Sequence, residues 1–223
     1  MSFKLWGRYT SARSLKVILA LAELGIEYQL IQASATMGPG GSVSKGNQAF
    51  GVVGTPEFQA MNPNGRIPTI DDDGFVLWES NTIVRYLGMK YNPTLFYGDD
   101  LYTFALAGRW LDFENNNIIP GQHIVATQLY RIPAEKRDPA KLTAACENLE
   151  KEFSKVENQL AKTEYIAGDQ WTMGDIAMAI RVHRWHLSDI ERPDMPNITR
   201  YYETIKKRPA FSVVADPAYH AEG

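Results

Sequence analysis

The chain has 223 residues, 44% of them hydrophobic and 22% charged, with 12 Pro and 17 Gly. That composition excludes disordered, collagen-like and low-complexity classes and fits one large or two small globular domains. The 23 Lys and Arg against 26 Asp and Glu leave a formal charge of −3, no electrostatic footprint for nucleic acid or an anionic membrane, and the lone Cys146 excludes an intrachain disulfide, a dithiol pair and a Cys-built zinc site.

Thiol chemistry in this chain therefore needs a borrowed sulfur, and a small molecule is the expected partner. The opening Met-Ser-Phe-Lys-Leu-Trp has no basic region followed by an apolar stretch and a cleavage site, and no run of about 18 apolar residues follows, so a cytoplasmic protein is expected.

Phe3 to Trp6 reads as a strand, and Val17, Leu21 and Leu24 mark a helix over roughly residues 12 to 24 that Gly25 stops. Tyr28 to Ile31 reads as a second strand, which makes the first three elements a right-handed βαβ unit with parallel strands. Residues 35 to 54 form a long Gly-rich insertion, either a surface excursion or a loop that closes over a ligand. Lys45 follows Ser44 where a phosphate-binding loop requires Gly.

Residues 66 to 70 and 75 to 78 are apolar runs joined by Asp71-Asp72-Asp73-Gly74, a hairpin signal in which the three carboxylates serve the turn before any metal. Ile83, Leu87 and Tyr91 mark the next helix, entered through Glu79-Ser80-Asn81. The texture then changes over residues 92 to 99, read as a linker between a first domain, 1 to 91, and an all-helical second domain, 100 to 223. Leu142, Ala145, Leu149, Phe153, Val156 and Leu160 line one helix face. Thr172 and Asp175 have the spacing of an N-terminal cap ahead of Ile176, Ile180, His183 and Leu187, and Ile198, Tyr201, Tyr202 and Ile205 form a last stripe closed by Arg208-Pro209. His183 and His186 have a metal-compatible spacing but no acidic or Cys partner; His183 reads as a core residue.

Three places in the first half carry chemistry. Pro68 falls at a strand start, where a cis peptide would turn the backbone N–H and C=O of Ile67 outward toward another peptide. Glu79-Ser80-Asn81 lies where a strand ends and a helix begins, so free N–H groups and a Ser hydroxyl converge on a carboxylate-sized spot, or simply cap the helix. Thr10-Ser11-Ala12-Arg13-Ser14 opens the first helix with three hydroxyls and a guanidinium, a setting for a thiolate as well as for a cap.

The runs Leu5-Trp6-Gly7-Arg8 with Ser11 to Val17, Met61-Asn-Pro-Asn-Gly-Arg-Ile-Pro68, and Leu77-Trp-Glu-Ser-Asn-Thr-Ile-Val-Arg-Tyr-Leu87 resemble the soluble glutathione S-transferases, most of all the bacterial and theta-like branch. Pro68 and Glu79 keep the family's separation of 11 residues. Arg109 to Phe113, Ile166 to Asp169 with Thr172 to Asp175, and Arg208 to Ala210 extend the resemblance over most of the chain.

The resemblance implies an α+β thioredoxin-like N-terminal domain that binds glutathione, followed by an all-α helical-bundle C-terminal domain. It implies a homodimeric, detoxifying transferase with glutathione as co-substrate, no metal, and a small apolar electrophile held between the domains. Ile67 would pair by backbone with the cysteinyl part of glutathione beside Pro68, Glu79 and Ser80 would hold the γ-glutamyl end, and Ser11 would meet the thiolate. Tyr9, Thr10 and Arg13 contest that last role, and Arg13 stands where many bacterial relatives have Asn. Related enzymes carry a basic side chain where this chain has Gly65, which leaves the glycyl carboxylate to Arg66, Lys45 or Gln48. Trp110 and Phe113, with Tyr9 and Thr10, are the candidates for the electrophile pocket. A glutathione-dependent disulfide or peroxide reductase and a non-catalytic binding module are the alternatives.

Overall fold

The computed structural model describes residues 3–33 and 51–215. Most of the Gly-rich stretch, with Lys45 and Gln48, therefore lies outside the described residues. The chain divides into two compact units, one running to Leu87 and resuming at Ala210, the other Gly88–Pro209.

The first unit is built on a four-stranded sheet of order β2-β1-β3-β4, with β1 at Phe3–Gly7, β2 at Gln29–Gln32, β3 at Thr69–Asp72 and β4 at Phe75–Trp78. As expected from the strand, helix, strand order, β2 lies parallel to β1; β3 runs antiparallel to both β1 and β4. Helix α1, Ala12–Glu23, makes the β1 to β2 connection and buries every residue from Ser14 to Leu21. A helix apolar on so many sides is a core helix rather than a surface one. Its end is a Schellman motif: Ile26 N–H donates to Leu21 C=O at 3.0 Å and Gly25 N–H to Ala22 C=O at 3.2 Å, with Gly25 at φ 63°.

The hairpin forms where Asp-Gly predicts it. Asp73 and Gly74 take positive φ of 56° and 97°, the geometry that lets a two-residue turn follow the strand twist. Of the three carboxylates only Asp73 is in the turn. Asp71 ends its strand duty by accepting from Gly74 N–H at 2.7 Å, and buried Asp72 accepts from the Tyr86 hydroxyl at 2.8 Å. These partners give Asp71 and Asp72 structural tasks.

Helix α2, Pro56–Met61, follows a short 3-10 turn at Gly51–Gly54, and α3 spans Ser80–Tyr91. Residues 92 to 99, read above as a linker, contain α4 at Pro93–Tyr97. Pro93 does not break structure here because Asn92 caps the helix and Pro occupies its first turn, where its missing N–H costs nothing. Phe96 and Tyr97 are buried, and α4 lies against the helices at Leu101–Phe113 and Met173–Leu187.

The second unit continues with α5, Leu101–Phe113, a π turn at Glu114–Ile118, α6, Ile119–Tyr130, α7, Pro139–Leu160, α8, Met173–Leu187, and α9, Pro196–Lys206. Of the predicted faces of α7 and α9, Ala145, Leu149, Phe153, Val156 and Leu160 on the first and Ile198, Tyr201 and Ile205 on the second are buried, while Leu142 and Tyr202 are half-buried. Helix α8 is its axis, with every residue from Met173 to His183 buried. Thr172 and Asp175 form the predicted capping box at its start. Arg181 of α8 makes an ion pair with Glu114 of the π turn, both buried, and Gln122 of α6 donates to the Arg181 carbonyl at 2.8 Å. Removing one partner of such a pair strands the other's charge, whereas an apolar pair in its place is often neutral.

Beyond Pro209 the chain returns to the first unit, where α10, Ser212–Ala215, packs on α1 with Phe211 and Val214 buried. No helix among the described residues is long and apolar enough to cross a membrane.

Candidate functional site

The strand register gathers the three chemistry-bearing segments of the first unit at one end of the sheet. Trp6 pairs with Thr69 and Thr69 with Trp78, so the exit of β1, the entry to β3 and the exit of β4 lie side by side. The exit of β1 leads to Ser11, the entry to β3 is Ile67-Pro68, and the exit of β4 is Glu79-Ser80.

The Ile67-Pro68 bond is cis. Pro68 is buried and precedes β3, while the Ile67 side chain packs against Trp6, Ala33, Val53 and Phe58. That packing anchors the residue by its side chain and leaves its backbone outside the strand ladder, which starts at Thr69. The loop before it is braced by a residue that motif reading passed over. Buried Asn62 donates through Nδ2 to the Arg66 carbonyl and to the Thr69 hydroxyl, both at 2.9 Å, and its Oδ1 accepts from Asn64 N–H at 3.0 Å. The signal was the Asn-Pro-Asn-Gly run, which marked a turn without saying which side chain held it.

Gly65, where related enzymes carry a basic residue, has φ 57°, and a Cβ there would lie 2.6 Å from Gln59 Nε2. Gln59 in turn donates to the Val53 carbonyl at 2.6 Å. Gly65→Ala is expected to cost about 1–2 kcal/mol from the left-handed backbone and to displace Gln59; a lowered denaturant midpoint at unchanged slope is the measurement. Arg66 is exposed, free to reach an anion beside the loop.

Glu79 has φ 72°. A long side chain in the left-handed region is uncommon and strained, and such outliers concentrate where function fixes the backbone. Glu79 is exposed, while Ser80, the first residue of α3, is only 6% exposed. The strained residue thus presents a carboxylate to solvent next to a buried hydroxyl and the open N–H groups of a 12-residue helix. A cation beside an anion is the ligand that such a pair of groups holds.

Ser11 is the N-cap of α1, with φ −89° and ψ 115°, and its Oγ accepts from Ser14 N–H at 3.3 Å. The cap uses a lone pair and leaves the hydroxyl proton to donate. Capping and thiolate binding are therefore compatible in one side chain. Arg13 lies one residue into the helix and is half-buried, as are Tyr9 and Thr10; the Tyr9 hydroxyl lies 3.4 Å from that of Tyr28. Trp110 and Phe113 belong to the second unit, where they meet edge to face at 5.0 Å with Trp110 only 6% exposed. Trp110 is a core residue of α5.

Cys146 is half-buried on α7, and burial together with the nearby Glu150 raises its thiol above the ordinary value. A thiol held protonated is a poor nucleophile. His183 and His186 face separate partners: His183 Nδ1 lies 2.8 Å from the Tyr202 hydroxyl and His186 Nδ1 is 2.9 Å from the Val182 carbonyl. Among the described residues no group of three or more His, Cys, Asp or Glu could hold a metal ion.

A four-stranded sheet with a cis Ile67-Pro68 and the starts of α1 and α3 gathered at one end defines a thioredoxin-like domain. Residues 10–89 match the family model of the glutathione S-transferase N-terminal domain, and residues 118–209 that of the glutathione S-transferase C-terminal domain. The chain belongs to the glutathione S-transferase family. It is 34% identical over 208 residues to glutathione S-transferase GstB of Escherichia coli strain K12, covering 92% of this chain and 94% of that protein. Glutathione S-transferase F13 of Arabidopsis thaliana is 29% identical over 224 residues, 96% of this chain and 95% of its own. Among solved structures, the theta class glutathione S-transferase of Xanthomonas axonopodis pv. citri with glutathione bound is similar at a TM-score of 0.84 and 32% identity, over 95% of each chain.

Proposed function

We propose that the protein is a glutathione transferase that ionises the glutathione thiol at the N-terminus of α1 and directs the thiolate at an electrophilic carbon of a small apolar substrate. The observation that carries this reading is the strand register, which sets the cis Ile67-Pro68, Glu79-Ser80 and the Ser11 cap at one end of the sheet. In this reading the Ile67 backbone pairs with the cysteinyl residue, Glu79 takes the γ-glutamyl amino group, and Ser80 with the α3 N–H groups takes its carboxylate. Arg66 is the described candidate for the glycyl carboxylate. Ser11 donates its proton to the sulfur, and Arg13 adds positive charge close by in sequence. Tyr9 and Thr10 flank the same turn and are assigned to the electrophile side.

The chemistry is a displacement or addition. The thiol proton leaves to solvent and the sulfur lone pair forms the S–C bond, while either a halide leaves with the electron pair of its carbon–halogen bond or an epoxide C–O bond opens to an alkoxide that takes a proton from solvent. Glutathione with a thiol pKa of about 8.5 is only about 3% ionised at pH 7, and lowering that value by about 2 units makes most of it reactive. The lone, protonated Cys146 supports a mechanism that relies on the co-substrate's sulfur. A homodimer acting in the cytoplasm completes the reading, supported by family membership.

Calorimetric titration with glutathione tests the site, and turnover of a chloronitroaromatic against a glutathione mixed disulfide tests the reaction. Binding at millimolar concentration or tighter, with conjugation the faster reaction, is the expected result. No binding would leave a scaffold without the enzyme, and faster disulfide turnover would make the chain a reductase.

A further inference from the structure

Lys16 interrupts the most apolar helix of the first unit. Its neighbours Leu15, Val17, Ile18 and Leu19 are all fully buried, and so is Lys16 itself, at 0% exposure. Desolvating an ammonium is expensive, and an apolar residue of similar length would fill the same space without that cost. The ammonium donates to Asn81 Oδ1 at 2.5 Å. Asn81 is the second residue of α3, directly after Ser80 and two after the strained Glu79.

This bond joins the two helices whose N-termini meet at the end of the sheet. Lys16 lies five residues after the Ser11 cap of α1, and its partner sits in the first turn of α3, which the proposed function assigns to the γ-glutamyl carboxylate. The bond fixes that turn relative to α1, and the charge lies in a low-dielectric interior where its field is weakly screened. It adds to the positive end of the α3 dipole. A fully buried charge that breaks the local apolar pattern is the kind of violation that marks a working part.

We propose that Lys16 is a positioning residue for the glutamyl carboxylate: through Asn81 it holds the first turn of α3 so that the Ser80 hydroxyl and the turn's N–H groups face the anion, and its charge strengthens that anion's binding. The proposal rests on the glutathione-site reading above. It predicts that Lys16→Met weakens glutathione binding on the order of tenfold.

Calorimetry with two ligands is the test. Glutathione carries the carboxylate; γ-aminobutyryl-cysteinyl-glycine lacks it and is otherwise the same. Lys16→Met is expected to lose affinity for glutathione and not for the analogue. Asn81→Ala supplies a second variant, and the double variant is expected to lose no more than Lys16→Met alone, since both single variants break the same Lys16–Asn81 bond. Equal losses for the two ligands, no loss for either, or additive losses in the double variant would overturn the proposal. A wild type that binds glutathione while Lys16→Met does so equally well removes Lys16 from the site and leaves the transferase reading standing. A wild type that does not bind glutathione removes both.

Discussion

Ser11→Ala is expected to raise the apparent thiol pKa of bound glutathione toward its free value of about 8.5 and to lower kcat/KM near pH 6.5 by roughly 10–100-fold, the value of one donor to a charged acceptor. The variant also removes the Ser14 N–H cap, worth about 1 kcal/mol, so loss of activity alone does not separate chemistry from folding. Ser11→Asp does. Aspartate caps as well as serine but sets a negative charge where the thiolate forms, which opposes ionisation. Stability is expected to return in Ser11→Asp while the thiolate absorbance of bound glutathione stays shifted to high pH. An unchanged pKa in both variants would transfer the role to Arg13, Thr10 or Tyr9.

The largest stability effect is expected at Asp175, in the second unit. Its carboxylate is fully buried and accepts from Ile166 N–H at 2.8 Å, Thr172 N–H at 2.9 Å, the Thr172 hydroxyl at 3.1 Å and the Tyr201 hydroxyl at 3.1 Å. One side chain thus ties the segment before α8, the α8 cap and α9. Asp175→Ala strands two buried backbone donors and a tyrosine hydroxyl, for a cost of about 3–5 kcal/mol and, in a chain of this size, a fall in Tm of roughly 8–15 °C. Scanning calorimetry measures it.

The same carboxyl makes stability depend on pH. Burial pushes its pKa up to about 6, and the four donors oppose that rise without cancelling it. The folded value lies above the unfolded one, so the group's contribution is full below about pH 4 and is lost as pH rises through 6, by roughly 3 kcal/mol in all. Denaturant midpoints of wild type and Asp175→Asn at pH 4 and 7 are expected to differ in slope with pH, the variant being flatter. Parallel slopes would place the titration elsewhere.

What could be read in advance was local. Asp73-Gly74, the Thr172 to Asp175 box and the Gly25 stop each encode their geometry within a few residues, and the structure places them as read. The α4 helix escaped because residues 92 to 99 read as a linker until Asn92 is seen to cap a helix that Pro93 starts. Partners distant in sequence left no spacing to read: Glu114 and Arg181 are 67 residues apart, and Lys16 and Asn81 are 65 apart. In the candidate site the residue types were legible, but the strain at Glu79, the bracing by Asn62 and the charge of Lys16 under the helix pair were not. Each depends on where the backbone turns in space.

The return of α10 to α1 makes the first unit discontinuous, with the whole second unit inserted between its two pieces. During synthesis the ribosome releases the sheet and α1 early but delivers Phe211 and Val214 only after the whole second unit. The helical unit can close while the thiol-binding unit still lacks its final cover over α1. Truncation before Ala210 is therefore a lesion of the first unit even though the missing residues follow the second.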